Sequence, residues 1–256
     1  MPRTRPDKLA GKHILLFGGT SGIGFAVAEA ILASSPTSKI TISSSSQAKI
    51  DAKIRDLQDS FPDSTITGYA CDLSSVEVEQ SIATLFTKAG TVDHIIVTSG
   101  DAISRASVHD STVESIEAAG QVRFVAPILI AKIGSKYLTL GPASSIIFTG
   151  AVVGQRPMEG WTVVAGYAAA IEGVTRNLAL DLKPVRVNCV APGPVETELF
   201  TGMSEAQRSG AIAMAEKTPV GRLGQPEDIA ECYLWLMKDA NVTGFVACSD
   251  AGSKLG

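Results

Sequence analysis

An apolar run of strand length, His13-Ile-Leu-Leu-Phe17, passes without a spacer into Gly18-Gly-Thr-Ser-Gly22-Ile-Gly24, where a helical pattern begins. Few folds accept that order. A strand with no polar face is buried on both sides, which is the situation of a parallel sheet. The glycines at its end let backbone turn tightly and approach another group closely. Further apolar runs of strand length follow at residues 39–42, 94–97, 145–148, 185–190 and 244–248. Helical patterns separate them at residues 22–34, 46–60, 76–89, 113–133, 165–182 and 226–237. Strand–helix alternation of this kind predicts a parallel sheet with helices on both faces.

No linker, repeat or low-complexity tract interrupts the series, so residues 1–256 read as one α/β domain with a doubly wound Rossmann fold. Residues 1–10 are expected to form a flexible arm, and 196–217, bearing Gly and Met, a mobile lid over the substrate. A hydrophobic fraction of 45% with 19% charged residues argues against a disordered chain. The net charge of -4 gives no reason to expect a nucleic-acid partner. No stretch approaches the roughly 20 apolar residues of a membrane helix. The opening Met1-Pro-Arg-Thr-Arg-Pro-Asp-Lys8 lacks the apolar core of a secretory signal. Four cysteines, Cys71, Cys189, Cys232 and Cys248, show no CxxC spacing, so neither a metal site nor a disulfide framework is expected, and a reducing cytoplasm fits.

The first turn carries the earliest functional signal. A glycine-rich strand-to-helix turn presents free N–H groups and the positive end of a helix dipole to a phosphate. Gly18, Thr20, Ser21, Gly22 and Ile23 are therefore candidate pyrophosphate contacts, although any tight strand–helix turn would place glycines similarly.

Other segments follow in order: Cys71-Asp72-Leu73, Val97-Thr98-Ser99-Gly100, Pro192-Gly193-Pro-Val195-Glu-Thr197, Gly221-Arg-Leu-Gly-Gln-Pro226-Glu-Asp-Ile-Ala230 and Ser249-Asp250-Ala-Gly252. With the G-x-x-x-G-I-G turn, this set resembles the short-chain dehydrogenase/reductase family over nearly the whole chain. The resemblance implies a seven-stranded, mostly parallel sheet and a homodimer or homotetramer acting on a small-molecule substrate. It also implies that Asp72 and Leu73 bracket an adenine, that Ser99 and Gly100 lie under the cofactor, and that Pro192, Gly193, Val195 and Thr197 wrap the nicotinamide.

Cofactor choice is read at the end of the second strand. Users of NAD place an acid there for the ribose hydroxyls, and that charge would repel a 2′-phosphate. Here the segment is Ile42-Ser43-Ser44-Ser45-Ser46-Gln47, without an acid and with Lys49 near. Ser43, Ser44 and Ser45 are the expected phosphate contacts, and NADP(H) the expected cofactor.

The family's reacting groups are Asn, Ser, Tyr and Lys: Tyr gives a proton to a carbonyl, and Lys lowers its pKa. Tyr167 invites that role, but Ile171 follows where Lys is expected. Registering instead on Glu172-Gly173-Val-Thr-Arg176 puts the Tyr and Lys positions on Val164 and Ala168, the Ser position on Ala151 and the Asn position on or next to Arg123. This register resembles a divergent fungal branch that includes NADPH-dependent reductase/Diels–Alderases of bridged prenylated-indole alkaloid pathways. That branch implies roles for Arg123 and Trp161; its acid falls on Met158 here, with Glu159 the nearest carboxylate.

A site without a proton donor suits an electrophile that is already activated, such as an iminium ion or an enone, with hydride supplied by the cofactor. The expected activity is an NADPH-dependent reduction in secondary metabolism, with Arg123, Trp161 and Glu159 as the candidate catalytic residues. Two alternatives stay open: a non-redox cyclase or isomerase using NADP(H) as part of the pocket, and a catalytically dead cofactor-binding scaffold. His13, His94 and His109 lie at strand starts or in a polar loop and are not expected to react.

Overall fold

A computed structural model describes residues 6–101, 108–201 and 203–255. Seven strands form one sheet, all parallel: β1 (His13–Phe17), β2 (Lys39–Ser44), β3 (Thr65–Ala70), β4 (His94–Val97), β5 (Ser145–Thr149), β6 (Arg186–Pro192) and β7 (Val246–Ser249). Their spatial order is β3-β2-β1-β4-β5-β6-β7, so the winding reverses between β1 and β4. Ligands of open α/β sheets bind at the carboxyl ends of the strands flanking such a reversal. Here those ends are Gly18 and Thr98.

Alternate residues of the central strands serve opposite faces. Leu15, Phe17, Ile95, Val97, Ile146 and Phe148 pack toward α3 (Val78–Ala89), α5 (Ala126–Gly134) and α6 (Thr162–Asp181). Ile14, Leu16, Ile40, Ile42, Ile96 and Ile147 pack toward α1 (Gly22–Ser34), α2 (Gln47–Ser60) and α9 (Pro226–Lys238). The continuous apolar strands are the consequence of this double burial.

Three segments take a more definite form in the structure than the sequence alone gives. The helix expected over 113–133 is broken into α4 (Val113–Gly120), a π-helical turn (Gln121–Val125) and α5. Pro127 has no N–H to give to the Arg123 carbonyl, and the Ala126 N–H reaches back to Gln121 instead. Arg123 sits in that bulge. The arm expected over 1–10 is anchored at its far end, because Leu9 is fully buried against the α1–α9 layer and its carbonyl accepts from Lys12 and Ser38. Residues 1–5 of that arm lie outside the described residues. The lid segment 196–217 folds into α7 (Glu198–Thr201) and α8 (Glu205–Glu216), the latter closed by a Ser204–Gln207 capping box.

His13 and His94 are structural. His94 hydrogen-bonds Ser145 at 2.8 Å, and burial pushes its pKa down to about 3. Among the described residues no helix is long and apolar enough to cross a membrane.

Candidate active site

The turn after β1 is shaped by close approach. Gly18 takes φ +87, and a Cβ there would stand 2.7–2.9 Å from backbone atoms of Thr98 and Ser99. A Cβ on Gly24 would stand 2.2 Å from the Gly18 carbonyl oxygen. Ser21 occupies the N-cap of α1, yet its hydroxyl makes no capping bond. The first-turn N–H groups of α1 thus face the mouth of the turn with the dipole behind them, which fits a pyrophosphate. Thr20 is buried beneath the turn, and Ser21 is its exposed corner.

The serine run at the end of β2 divides. Ser43 was expected to offer a hydroxyl, but it is only 1% exposed and its Oγ is enclosed within the sheet. Its carbonyl accepts from Gly18 and Gly19, which locks the strand under the turn. Ser46 is spent on capping α2 through the Lys49 N–H. Ser44 Oγ accepts from the Ser46 N–H at a long 3.3 Å, which leaves it partly available beside the exposed Ser45. Asp72 accepts from Ser74 N and Oγ through one oxygen, and Leu73 is a core side chain able to reach a ligand only through its backbone.

The opposite wall comes from the loop after β6. Gly193 lies against Asp250, where a Cβ would stand 2.9–3.1 Å from backbone. Glu196 N bonds the Gly224 carbonyl, so the Gly221–Asp228 segment braces the loop. Thr197 then closes on Gly22, its Cγ2 2.9 Å from where a Cβ would be.

Between these walls lies a cavity of about 640 Å³ that also opens onto Ser99, Gly100, Arg123, Glu159 and Trp161. Arg123 Nε lies 2.8 Å from Asp101 Oδ1, and an Nη donates to the Asp101 carbonyl. Its guanidinium covers Gly100 at 3.3–3.6 Å from the place of a Cβ, so a side chain there would press on it. Trp161 packs with Met158, Ala151, Val153, Val164 and Ala168 in a small apolar cluster. Tyr167 also lines the cavity, but its hydroxyl donates to the Ile116 carbonyl at 2.9 Å and its ring lies on Gly120. Among the described residues the only ionisable side chains on this wall are Arg123, Glu159 and Tyr167. No cluster able to hold a metal ion occurs among them either.

A Rossmann sheet, a glycine turn at its reversal point and a cavity beside it are shared by several enzyme families. Residues 5–255 match the family described as an SDR-like Rossmann domain. This chain belongs to the short-chain dehydrogenase/reductase family. A curated short-chain dehydrogenase/reductase from Stachybotrys chlorohalonatus, ATR9, is 36% identical, covering 96% of this chain and 98% of its own. The structure of the MalC reductase/Diels–Alderase from Malbranchea aurantiaca superposes with a TM-score of 0.91 at 36% identity, covering 98% of this chain and 99% of that one. A small-chain dehydrogenase in complex with NADPH superposes at 0.77 with 29% identity, covering 96% and 99%.

Within this short-chain dehydrogenase/reductase, sequence reasoning missed the partner of Arg123 and, inside the lid segment that it did name, the individual residues of the cavity roof. Asp101 directly follows Gly100, a carboxylate just past a strand end, and that placement is the available signal. Phe200, Met203 and Met214 enter the wall from α7, α8 and the turn between them. Their apolar character in a surface helical segment was the clue. Thr149 is a third addition: it donates to the Val97 carbonyl and meets the buried Tyr233 hydroxyl at 2.5 Å, stiffening the end of β5 beneath the cavity.

Proposed function

We propose that this chain is an NADPH-dependent reductase of a pre-activated, largely apolar electrophile: an iminium ion, or a conjugated enone whose enolate takes its proton from solvent. The observation that carries the proposal is the wall at Ala151, Val164 and Ala168. These are the positions that the family's motif spacing assigns to Ser, Tyr and Lys, and they form one apolar patch under Trp161. Such a patch cannot hand a proton to an alkoxide. An iminium carbon that accepts hydride becomes a neutral amine and needs no proton, and NADPH supplies the hydride when bound. The chain's own residues position the reactants. Arg123, fixed by Asp101, offers donors above Gly100 where nicotinamide ribose and carboxamide belong. Trp161 gives a flat cationic or conjugated substrate an aromatic face. Helices α7 and α8 roof the site and move to admit substrate.

Ser44 and Ser45 with no neighbouring acid support the 2′-phosphate form of the cofactor. NADPH should bind at least roughly tenfold more tightly than NADH, about 1.4 kcal/mol. Fluorescence titration of both cofactors, repeated on Ser44→Asp, tests this. The variant should reverse the preference, whereas equal affinities in the unaltered chain would remove the phosphate site.

The two wall residues should separate in their effects. Arg123→Ala should weaken NADPH binding, while Trp161→Ala should spare it and raise the substrate KM by a factor corresponding to about 1–2 kcal/mol. Titration of each variant with cofactor and then substrate distinguishes them. Identical losses on both ligands would mean that neither side chain has the assigned role.

The description of MalC as a reductase/Diels–Alderase favours one second reading, in which the apolar cavity also folds a substrate for cycloaddition. Product formed with NADP⁺ in place of NADPH would select that reading.

A further inference from the structure

Outside the cavity, the carboxyl end of β7 carries a second reactive arrangement. After Ser249 the chain reverses tightly: Ala251 and Gly252 take φ 55 and +80, Gly252 N bonds Asp250 Oδ1, and Ser253 bonds the Asp250 carbonyl. The reversal brings Lys254 back over Cys248, with Nζ 2.9 Å from Sγ. The same ammonium donates to Gln155 Oε1 at 2.9 Å, and Cys248 Sγ lies 3.5 Å from that oxygen. Gln155 is itself oriented by donating Nε2 to the buried carboxylate of Glu172 at 2.7 Å. Two side chains, Lys254 and Gln155, thus converge on one half-exposed thiol, with Glu172 behind the second.

The other cysteines have no such company. Burial pushes the Cys71 thiol up to about 11 and the Cys189 thiol up to about 12, and it raises that of Cys232 too. Cys248 holds the Lys254 ammonium above its ordinary range through their hydrogen bond, so the cation stays in place at neutral pH. A cation at this distance stabilises the negative charge that a sulfur nucleophile carries as it attacks.

We propose that Cys248 is a peroxide-reactive modification site with Lys254 as its activator. The Cys248 sulfur attacks one oxygen of hydrogen peroxide; the S–O bond forms and the O–O bond breaks. The departing hydroxide takes a proton from the Lys254 ammonium or from solvent and leaves as water, and the thiol proton is released to solvent. Sulfur is oxidised to a sulfenic acid and the peroxide is reduced. The added oxygen occupies the space shared with Gln155 and Lys254. The oxidation therefore reports at the Val152–Gly154 turn, to which the Gln155 N–H is bonded and whose Val152 and Val153 line the cavity.

The test is peroxide treatment of the full chain with dimedone as sulfenic-acid trap, followed by peptide mass spectrometry and a time course. Cys248 should be labelled first, ahead of half-exposed Cys232, and Lys254→Met should slow it roughly tenfold while Lys254→Arg retains most of the rate. Labelling of Cys232 at an equal rate overturns the proposal. So does a Lys254→Met rate equal to that of the unaltered chain, with an unchanged melting temperature showing that the variant is folded.

Discussion

Gly24→Ala should abolish dinucleotide binding and destabilise the fold by several kcal/mol. The added methyl carbon would lie 2.2 Å from the Gly18 carbonyl oxygen and 2.4 Å from Thr98 Oγ1. Neither can yield cheaply. The Gly18 N–H bonds the Ser43 carbonyl, and Thr98 is held at 3.0 Å by the Phe17 carbonyl and by its own backbone bond to the same strand. Overpacking against side chains typically costs about 1–3 kcal/mol, and here the obstacle is backbone. Relief requires α1 to swing away from β1, which removes the N–H groups from the place where a pyrophosphate docks. Gly166→Ala is the matching control. Gly166 lies inside α6, a Cβ there meets nothing within 4 Å, and the change should stabilise by about 0.5–1 kcal/mol through helix propensity. Urea denaturation and NADPH titration of both variants read the contrast. A Gly24→Ala protein that binds as the unaltered chain does would contradict the close-approach account.

Arg186→Leu should cost about 3–5 kcal/mol, in the range for removing one partner of a buried charged network. Arg186 is 3% exposed at the start of β6, beside Ser145 of β5, and among the described residues no carboxylate forms an ion pair with it. Its guanidinium is satisfied by carbonyls instead: Pro142 at 2.6 Å, Leu236 at 2.6 Å, Met237 at 2.9 Å and Val242 at 3.1 Å. Leu236 and Met237 belong to the last turn of α9, so the cation also meets the negative end of that helix. Leucine would fill part of the volume and leave those oxygens without a partner. Lysine should rescue little, because one ammonium cannot span carbonyls that a planar fork reaches from two sides. Guanidinium denaturation at neutral pH measures the loss. A change below about 1 kcal/mol would mean that water replaces the guanidinium and that the staple is dispensable.

These residues also show what the sequence discloses and what it conceals. β1 and β4 were legible to the residue because each is an uninterrupted apolar run ended by glycine or a polar turn. β3 was not. It is an edge strand in which only Ile66 is buried, and Gly68 stands at its centre because α2 presses Ile50 and Ile54 against it. The glycine turn after β1 was legible because glycine has few reasons to recur there. The fate of the serines was not, since strand alternation turns Ser43 inward and capping occupies Ser46, and both depend on where β2 ends. Arg123 could be named from spacing, but the bulge that aims it follows from Pro127, and its hold on Asp101 is a tertiary contact. The roof of the cavity was harder still. Phe200 of α7, Met203 before α8 and Met214 within α8 are apolar residues in a surface segment, and only packing distinguishes a cavity wall from a core.

The central claim is that this cavity delivers hydride to an electrophile that needs no proton from the cavity wall. The most direct measurement is the loss of NADPH absorbance in the presence of a cyclic iminium ion and, separately, the ketone of matching size and shape. The iminium should be reduced at least roughly a hundredfold faster, since a missing general acid forfeits a factor of about 10²–10⁴ for the ketone alone. Ketone turnover near ~10 per second, typical of enzymes, and its abolition in Tyr167→Phe would contradict the account and return proton transfer to Tyr167.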